Sequence, residues 1–429
     1  MNGQGAEPGP VSVAIVSRGR PQALLRCLTG VGQLRYPAFE VVVVADPAGI
    51  AAVTGAGWAD RIKAVAFDQP NISAARNLAI GLAAGRIVAF IDDDAVPEPT
   101  WLAHLCAPFS DPQVTAAGGY VRGRNGIAFQ WPPAMVDNDG RTVPLTLDGM
   151  APRLLAGRPG AAIKTEGTNM AFRRDALAAS GGFDPVFRFY LDETDLNLRL
   201  AAQGAVTALV PKAQVHHGFA ASAQRRADRV PRDLFEVGAS IAAFARKHGR
   251  NGGALIRAEA ETRRRALLAH MVAGRIEPRD VDRILRSLEQ GALEGCRRTL
   301  TTLLPLSGPD RPFLAYIPPV APRGHRVLSG RPGDTSDLRS RAAKLVADGW
   351  LVSIYVFSTG IARHQVQYHA DGYWEQRGGL FGRSDRAEPG LVWQTRTVRL
   401  RKELKRVAGE RTSRDNASED EAVGFDGLG

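Results

Sequence analysis

The chain has 429 residues, of which 44% are hydrophobic and 23% charged, and its net charge is +11. These values are typical of a soluble globular protein with two or three domains. Its three cysteines are far apart and form no CxxC pair, which excludes a disulfide framework or a zinc-ribbon site and fits a reducing compartment. No apolar stretch reaches the roughly 18 residues of a membrane span, and the N-terminal residues lack the features of a signal peptide.

The first hundred residues alternate between apolar segments of strand length and helical segments. The predicted strands are 11–17, 40–45, 62–67 and 87–91, and the predicted helices are 21–30 and 71–85. This alternation predicts parallel βαβ units with right-handed crossovers, and therefore an α/β fold.

Three consecutive acids follow the fourth predicted strand. Because unpaired carboxylates are costly to bury, Asp92, Asp93 and Asp94 must lie where the strand leaves the sheet. In an extended chain residues i and i+2 point the same way, so Asp92 and Asp94 can converge while Asp93 turns away. Two converging carboxylates favour Mg²⁺ or Mn²⁺, although an acidic turn without a metal has the same sequence.

Polar residues also follow the first two predicted strands. Ser17 and Arg18 end the first strand, and Asp46 ends the second. Parallel strands place their carboxyl ends on one edge of the sheet, where open α/β sheets bind ligands. The first strand is not followed by GxGxxG, which argues against a dinucleotide-binding domain, and the chain has no P-loop motif.

Taken in chain order, these segments and those that follow them resemble a family 2 glycosyltransferase with the GT-A nucleotide-sugar-binding fold. The resemblance covers about residues 11–245. The matching pieces are Ile15–Arg20, Asp46, Asn71–Ala79, the DxD-type element Asp92–Asp94, Gly167–Arg174, Leu191–Leu200 and Val215–His217.

The resemblance implies a role for individual residues. The nucleotide-sugar donor would be bound by Ser17, Arg18, Arg20, Asp46, Arg76, Asp92 and Asp93, with Arg76 near the diphosphate. Mg²⁺ or Mn²⁺ would be held by Asp92, Asp94 and either His216 or His217. The catalytic base would be a carboxylate of the pair Asp192-Glu193, in which Glu193 occupies the usual position of the base although the order of the pair is reversed. Gly167, Thr168 and Asn169 would contact the acceptor or the donor.

Several of these residues have a structural interpretation as well. The two histidines could be a polar strand end, Arg76 a surface arginine of a helix, and Asn169 a helix cap. Trp131, in the Gly-, Pro- and Asp-rich segment 122–160, could stack on a sugar ring, but packing in the core is favoured.

The second half of the chain carries fewer signals. We expect a flexible N-terminus at 1–10, the GT-A domain at 11–245, a basic helical region at 246–304, a Pro-rich linker at 305–325, a small α/β unit at 326–406 and a disordered tail at 407–429. Within these regions the pattern predicts helices at 231–248 and 254–300 and a strand near 391–399. The basic helices suit a solvated surface or contact with an anionic membrane.

The resulting expectation is an inverting enzyme that moves a sugar from a nucleoside-diphosphate sugar to a saccharide or lipid-linked acceptor. The setting would be bacterial cell-surface glycan synthesis, in the cytoplasm or peripherally on the inner face of the membrane, with no nucleic-acid partner. The alternatives are a nucleotidyltransferase, which also uses paired acids and a cation, and a catalytically degenerate scaffold that binds glycans.

Overall fold

A computed structural model describes residues 9–218, 220–221 and 224–411, and the backbone of 423–426. The flexible terminus predicted at 1–10 therefore lies mostly outside the described residues. The first part of the fold contains β1 (Val11–Ser17), α1 (Pro21–Val31), β2 (Phe39–Ala45), α2 (Pro47–Gly55), β3 (Lys63–Ala66), α3 (Ile72–Leu82), β4 (Ile87–Phe90), β5 (Ala95–Pro97), α4 (Trp101–Cys106) and β6 (Val114–Arg122).

The composition of the segment that follows predicts an irregular excursion. Part of this segment forms short strands instead. These are β7 (Ala134–Asp137), β8 (Thr142–Pro144), β9 (Arg153–Ala156) and β10 (Ala161–Ile163). The domain then continues through β11 (Met170–Arg173), α5 (Arg174–Ala179), α6 (Asp192–Ala202) and β12 (Val206–His217).

The main sheet has the order β3-β2-β1-β4-β11-β6-β12-β5, with β9 paired to β12. Strands β1 to β4 pair in parallel, whereas β11 runs antiparallel between β4 and β6. Alternate side chains of β1 and β2 enter two different apolar clusters, one on each face of the sheet. Both strands are therefore buried on both faces, and the predicted α/β fold with a mostly parallel, helix-flanked sheet is confirmed.

Three helices follow the sheet domain: α7 (Phe235–Lys247), α8 (Gly252–Val272) and α9 (Pro278–Arg297). The single helix predicted for 254–300 is wrong, because the chain turns at Gly274, whose φ is +68°, and Pro278 begins a new helix. Helices α7 and α9 pack closely at Gly291, where an added Cβ would lie 1.8 Å from the carbonyl oxygen of Phe235. None of the helices in the described part of the chain has the length and apolar character needed to cross a bilayer.

The proline-rich segment after α9 packs against the sheet domain and is called the strap below. The backbone N–H groups of Leu306, Asp310 and Tyr316 donate to the carbonyls of Ala178, Gly81 and Phe39. Tyr316 is only 8% exposed and its ring stacks on Trp58. The segment predicted to be a linker therefore extends the core of the sheet domain.

The C-terminal unit is a second α/β sheet. It contains β13 (His325–Gly330), α10 (Thr335–Ala347), β14 (Leu351–Ser358), β15 (Gln365–Tyr368), β16 (Trp374–Gly379), α11 (Arg396–Arg411) and β17 (Val423–Asp426), with the strand order β15-β16-β14-β13-β17.

Two predictions for this unit are wrong. The strand predicted near 391–399 overlaps the start of α11. The disordered tail predicted from residue 407 contains the end of α11, where Val407 is buried, and the strand β17, which pairs with β13. Composition alone did not show that these segments bury apolar surface or complete a sheet.

Candidate active site

Strands β1, β2 and β4 end side by side and form one edge of a cleft. Ser17 is paired with Ala45 in the register of β1 and β2, and Ala14 is paired with Phe90 in the register of β1 and β4. The polar residues that follow these strands therefore come together, as the sequence predicts for a parallel sheet.

Asp92, Asp94 and His217 form a cluster in this cleft. Each offers a ligand atom, and these atoms all lie within 4.8 Å of one another. Two carboxylate oxygens and one imidazole nitrogen suit Mn²⁺ or Mg²⁺. The predicted convergence of Asp92 and Asp94 is confirmed, and the cluster adds one of the two candidate histidines.

Gln130 sets the orientation of His217. The Nδ1 of His217 lies 3.1 Å from the amide oxygen of Gln130, which can only accept a hydrogen bond. Nδ1 therefore carries a proton, and Nε2 faces Asp94 Oδ1, 3.3 Å away. Nε2 is therefore the ring nitrogen that a cation between the two residues would bind, in place of a proton shared with Asp94.

Asp94 remains ionised because its neighbours outweigh its burial. Burial raises its pKa, but the hydrogen bond and charge of His217, together with Arg20 and the backbone N–H of Ala220, bring the pKa down to about 2. The Ala220 N–H donates to Oδ2 over 2.9 Å. This bond ties the chain after β12 to the acidic cluster.

Asp93 lies beneath the cleft and has no exposed surface. The hydroxyl of Ser17 and the Nε of Arg20 both donate to Asp93 Oδ2, at 2.6 and 3.1 Å. Burial raises the pKa of Asp93 to about 7, although Arg20 acts in the opposite direction. Because Asp93 has no accessible atom, it cannot make the predicted contact with the nucleotide-sugar donor. Its role is to hold Ser17 and Arg20.

Arg18 and Asp46 lie at the mouth of the cleft. Asp46 caps α2 through the N–H of Gly49 and also accepts the N–H of Gly19, over 2.9 Å. Arg18 is exposed and forms an ion pair with Asp68 at 3.3 Å. Both side chains are accessible to a ligand, as the sequence predicts.

His216 points in the opposite direction from His217, because successive side chains of a strand alternate between its two faces. Its Nε2 lies 2.8 Å from Glu98, and its ring packs against Trp374 of the C-terminal unit. Burial lowers the pKa of His216 to about 4, despite Glu98. The prediction of His216 as a metal ligand is therefore wrong.

Arg76 is buried below the acidic cluster rather than exposed on its helix. It forms ion pairs with Asp192 and, at 3.4 Å, with Asp92, and it donates to the carbonyl of Gly167. Only 3% of its side chain is accessible. Two carboxylates and a carbonyl already accept hydrogen bonds from the guanidinium, and the predicted contact of Arg76 with a diphosphate stays a prediction.

Glu193 differs from its neighbour Asp192 in accessibility. Asp192 is 3% exposed and paired with Arg76, whereas Glu193 is half-buried. Burial, together with the negative charges of Asp192 and Glu166, raises the pKa of Glu193 to about 8. A partly accessible carboxyl group with a pKa near neutrality has the properties of a general base.

The segment Gly167–Asn169 separates into accessible and structural positions. Asn169 has no exposed surface, and its amide is bonded to Trp101 Nε1 and to the carbonyls of Tyr120 and Ala213. Asn169 is thus neither a ligand contact nor a helix cap, because its hydrogen bonds join the residue just before β11 to the strands β6 and β12 and to the helix α4. Thr168 is buried and Gly167 is half-buried.

The packing of Trp131 was predicted from the sequence, whereas the roles of Gln130 and Glu98 were not. Trp131 packs against the core beside His217, with 6.1 Å between the ring centroids, as expected for packing. Gln130, which orients His217, carries no sequence signal because it lies in a segment without a motif. Glu98, the partner of His216, stands four residues after Asp94, but nothing in the sequence indicates that it is buried.

Residues 8–235 match the protein family described as glycosyltransferase like family 2. The O-antigen biosynthesis protein RfbC of Myxococcus xanthus is 31% identical over 245 residues, which are 52% of this chain and 18% of that protein. The chain thus spans less than a fifth of the length of this relative.

Among solved structures, the mannosyltransferase PcManGT of Pyrobaculum calidifontis, in complex with GDP-Man and Mn²⁺, is 18% identical. The similarity covers 68% of this chain and 88% of that one, with a TM-score of 0.43. TarS 1–349 of S. aureus, in complex with UDP-GlcNAc, is 14% identical and covers 66% and 81%, with a TM-score of 0.41. Because the family match extends over more than half of its residues, the chain belongs to the family 2-like glycosyltransferases.

Proposed function

We propose that this enzyme transfers a sugar from a nucleoside-diphosphate sugar to a saccharide or lipid-linked acceptor, with inversion at the anomeric carbon. The observation that carries the proposal is the cluster of Asp92, Asp94 and His217 at the carboxyl edge of the sheet. Family membership gives the reaction class, and the cluster supports a metal-assisted reaction at this edge of the sheet.

Asp92, Asp94 and Nε2 of His217 are the residues that would hold the cation. Mg²⁺ or Mn²⁺ bound there would neutralise the negative charge that develops on a leaving nucleoside diphosphate. Gln130 keeps the histidine in the tautomer that can coordinate, and Arg20 stands behind Asp94 at 3.3 Å.

Ser17, Arg18, Arg20 and Asp46 are assigned to the nucleotide. They lie at the ends of β1 and β2, beside the acidic cluster, so a nucleotide bound there would present its diphosphate to Asp92 and Asp94. Asp93 supports this part of the site from below through Ser17 and Arg20.

Glu193 is assigned as the base that removes the proton from the acceptor hydroxyl. Its raised pKa and partial exposure fit this role, which typically contributes roughly 10²- to 10⁴-fold to the rate. Asp192 is assigned to holding Arg76 instead. A single base on the face opposite the leaving group leads to inversion.

The biological setting is proposed from the relative. The name of RfbC places that protein in O-antigen biosynthesis, which supports a role for this chain in cell-surface glycan synthesis. A lipid-linked acceptor would bring the enzyme to the membrane surface, where the exposed arginines of α8, such as Arg264 and Arg265, could meet anionic lipid.

The first experiment measures thermal stability with UDP, GDP and dTDP, each with and without Mn²⁺. A ligand at about 100 times its dissociation constant should add roughly 2.7 kcal/mol of stability. We expect one nucleotide to stabilise the protein in a metal-dependent way, and Asp94→Asn to abolish that effect. Asp60→Asn, which removes an exposed carboxylate outside the cleft, is the matched control.

The donor sugars of the nucleotide that binds are then offered with candidate acceptors. The configuration of the product at the anomeric carbon, read by NMR, tests inversion. A folded protein that responds to no nucleotide in the presence of Mn²⁺ would contradict the proposal, as would stabilisation that survives Asp94→Asn unchanged.

A further inference from the structure

The C-terminal unit docks directly behind the candidate metal site. It contacts the strand pair formed by β5 and β12. Strand β5 begins directly after the three acids, and β12 ends with the two histidines. One apolar cluster contains residues of both parts of the chain: Val96, Ile127, Leu351, Val366, Tyr368 and Trp374. The unit is therefore packed against the sheet domain and not tethered to it loosely.

A buried ion pair joins α11 to the strand pair. Arg411, in the last turn of α11, donates two hydrogen bonds to the carboxylate of Glu98, at 2.9 and 3.0 Å. Neither side chain is more than 3% exposed. The paired geometry fixes the position and the orientation of Glu98.

Glu98 in turn holds His216. Its Oε1 lies 2.8 Å from Nε2 of the histidine, and Trp374 packs against both the histidine ring and the Arg411 guanidinium, each at 4.4 Å. Arg411, Glu98, Trp374 and His216 thus form one closed cluster, named here the latch. Two of its members come from each part of the chain.

The latch lies one residue from the metal-binding side chain. Because His216 and His217 are consecutive in β12, fixing the His216 side chain on one face sets the backbone that presents His217 on the other. His217 must keep Nε2 at 3.3 Å from Asp94, and β5, which pairs with this strand end, begins directly after Asp94.

We propose that the C-terminal unit positions the metal site, with Arg411 acting through Glu98 and His216 on the placement of His217. The inference rests on the proposed role of Asp92, Asp94 and His217 as metal ligands. Neighbours that orient a ligand without touching the metal typically change metal affinity by roughly 10- to 100-fold when they are removed. Arg411, Glu98 and His216 are accordingly positioning residues, and none of them is a ligand.

The test is a titration of the full chain with Mn²⁺ alone, followed by EPR of the free ion. We expect Glu98→Gln and Arg411→Met to weaken Mn²⁺ binding by about 10- to 100-fold. Arg411→Lys keeps the charge opposite Glu98, so it should recover part of the loss. The matched control is Tyr368→Phe, which removes a hydrogen bond of the same interface, to Gln33 at 3.0 Å, and keeps the aromatic ring that packs on Trp374.

A spectroscopic readout separates positioning from general stability. In the wild-type protein the bound Mn²⁺ should show the nitrogen coupling of one coordinated imidazole, which His217→Ala abolishes. The coupling should be weaker or heterogeneous in Glu98→Gln and unchanged in Tyr368→Phe. If Arg411→Met does not fold, His216→Phe is measured in its place, since it preserves the packing on Trp374 and removes only the bond to Glu98.

The outcomes distinguish this inference from the proposed function. Wild-type affinity and nitrogen coupling in folded Glu98→Gln and Arg411→Met would overturn the inference and leave the metal site standing. An equal loss in Tyr368→Phe would also overturn it, because the effect would then come from interface stability. Absence of Mn²⁺ binding by the wild-type protein would overturn both the inference and the metal site.

Discussion

The guanidinium of Arg76 forms a buried ion pair with Asp192, although the two residues are 116 positions apart in the sequence. The pair connects α3 to the first turn of α6, the helix that carries Glu193. Arg76 also reaches Asp92 at 3.4 Å. One buried cation therefore links the candidate metal site to the helix of the candidate base.

Removal of Arg76 should destabilise the protein strongly. Arg76→Met leaves Asp192 buried without a partner, and breaking a buried pair in this way typically costs about 3–5 kcal/mol. The measurement is the free energy of unfolding in urea. Arg265→Met, which breaks an exposed ion pair with Glu261 within α8, is the control and should change stability by no more than about 1 kcal/mol.

A double variant refines this prediction. Arg76→Met combined with Asp192→Leu removes both charges, so it should be less destabilised than the sum of the two single variants. Additive losses would show that the pair is not coupled and would contradict the ionic link described here.

Arg76 also shows which features of the site could be predicted from the sequence. The edge of the parallel sheet and the convergence of Asp92 and Asp94 follow from local periodicity and could be predicted. The partner of Arg76 could not, because its burial depends on α6, which is distant in the sequence. Motif resemblance thus identified a residue of the site but not the buried ion pairs that it forms.

The two histidines illustrate the same limit. Alternation along a strand predicts that only one of His216 and His217 faces the cleft, but it does not say which. In the structure His216 faces the C-terminal unit, a part of the chain without a recognised motif, and packs there on Trp374, which in turn packs on Arg411. Gly274 and Pro278 are residue types that break helices, yet one continuous helix was predicted across them.

The rate of sugar transfer should rise with pH through about 8. The raised pKa of Glu193 means that its carboxyl group keeps its proton at pH 7, so the ionised base increases up to about tenfold per pH unit below the pKa and levels off above it. The measurement is the pH profile of kcat/KM. Glu193→Gln should remove most of the activity.

Two neighbours of Glu193 provide a matched pair of controls. Glu166→Gln removes a negative charge that raises the pKa of Glu193, so the rising limb should move to lower pH. Lys164→Met removes a positive charge that lowers this pKa, and the limb should move to higher pH. A limb that stays in place in both variants would assign the titration to another group.

Asn169 should prove structural, in contrast to its neighbour Thr168. Asn169→Ala leaves Trp101 Nε1 and two carbonyls without this partner, and we expect a loss of about 3 kcal/mol in unfolding free energy with an unchanged KM for the donor. The measurements are urea unfolding and donor kinetics below the unfolding range.

Thr168→Val is the companion variant. The hydroxyl of Thr168 is buried and has no hydrogen-bond partner within the described part of the chain, so its replacement should cost little stability. An increase in KM for Thr168→Val would identify this hydroxyl as a ligand contact. An increase for Asn169→Ala at full stability would instead contradict the structural role of Asn169.

The strap after α9 should contribute to stability but not to catalysis. Tyr316 packs against Phe39 and Trp58, and its N–H donates to the carbonyl of Phe39 at the start of β2, at the opposite end of that strand from the cleft. Tyr316→Ala should therefore lower the free energy of unfolding by about 3 kcal/mol through the cavity that it leaves, with kcat unchanged at low temperature.

Ile317 offers the control for the strap, because it is the next residue and is 72% exposed. Ile317→Ala should change stability by no more than about 0.5 kcal/mol. Equal effects of the two substitutions would show that the strap is not anchored by Tyr316. A reduced kcat in stable Tyr316→Ala would mean that the strap acts on the cleft through β2, since this strand joins the Tyr316 contact at Phe39 to Asp46, the proposed nucleotide contact that follows its other end.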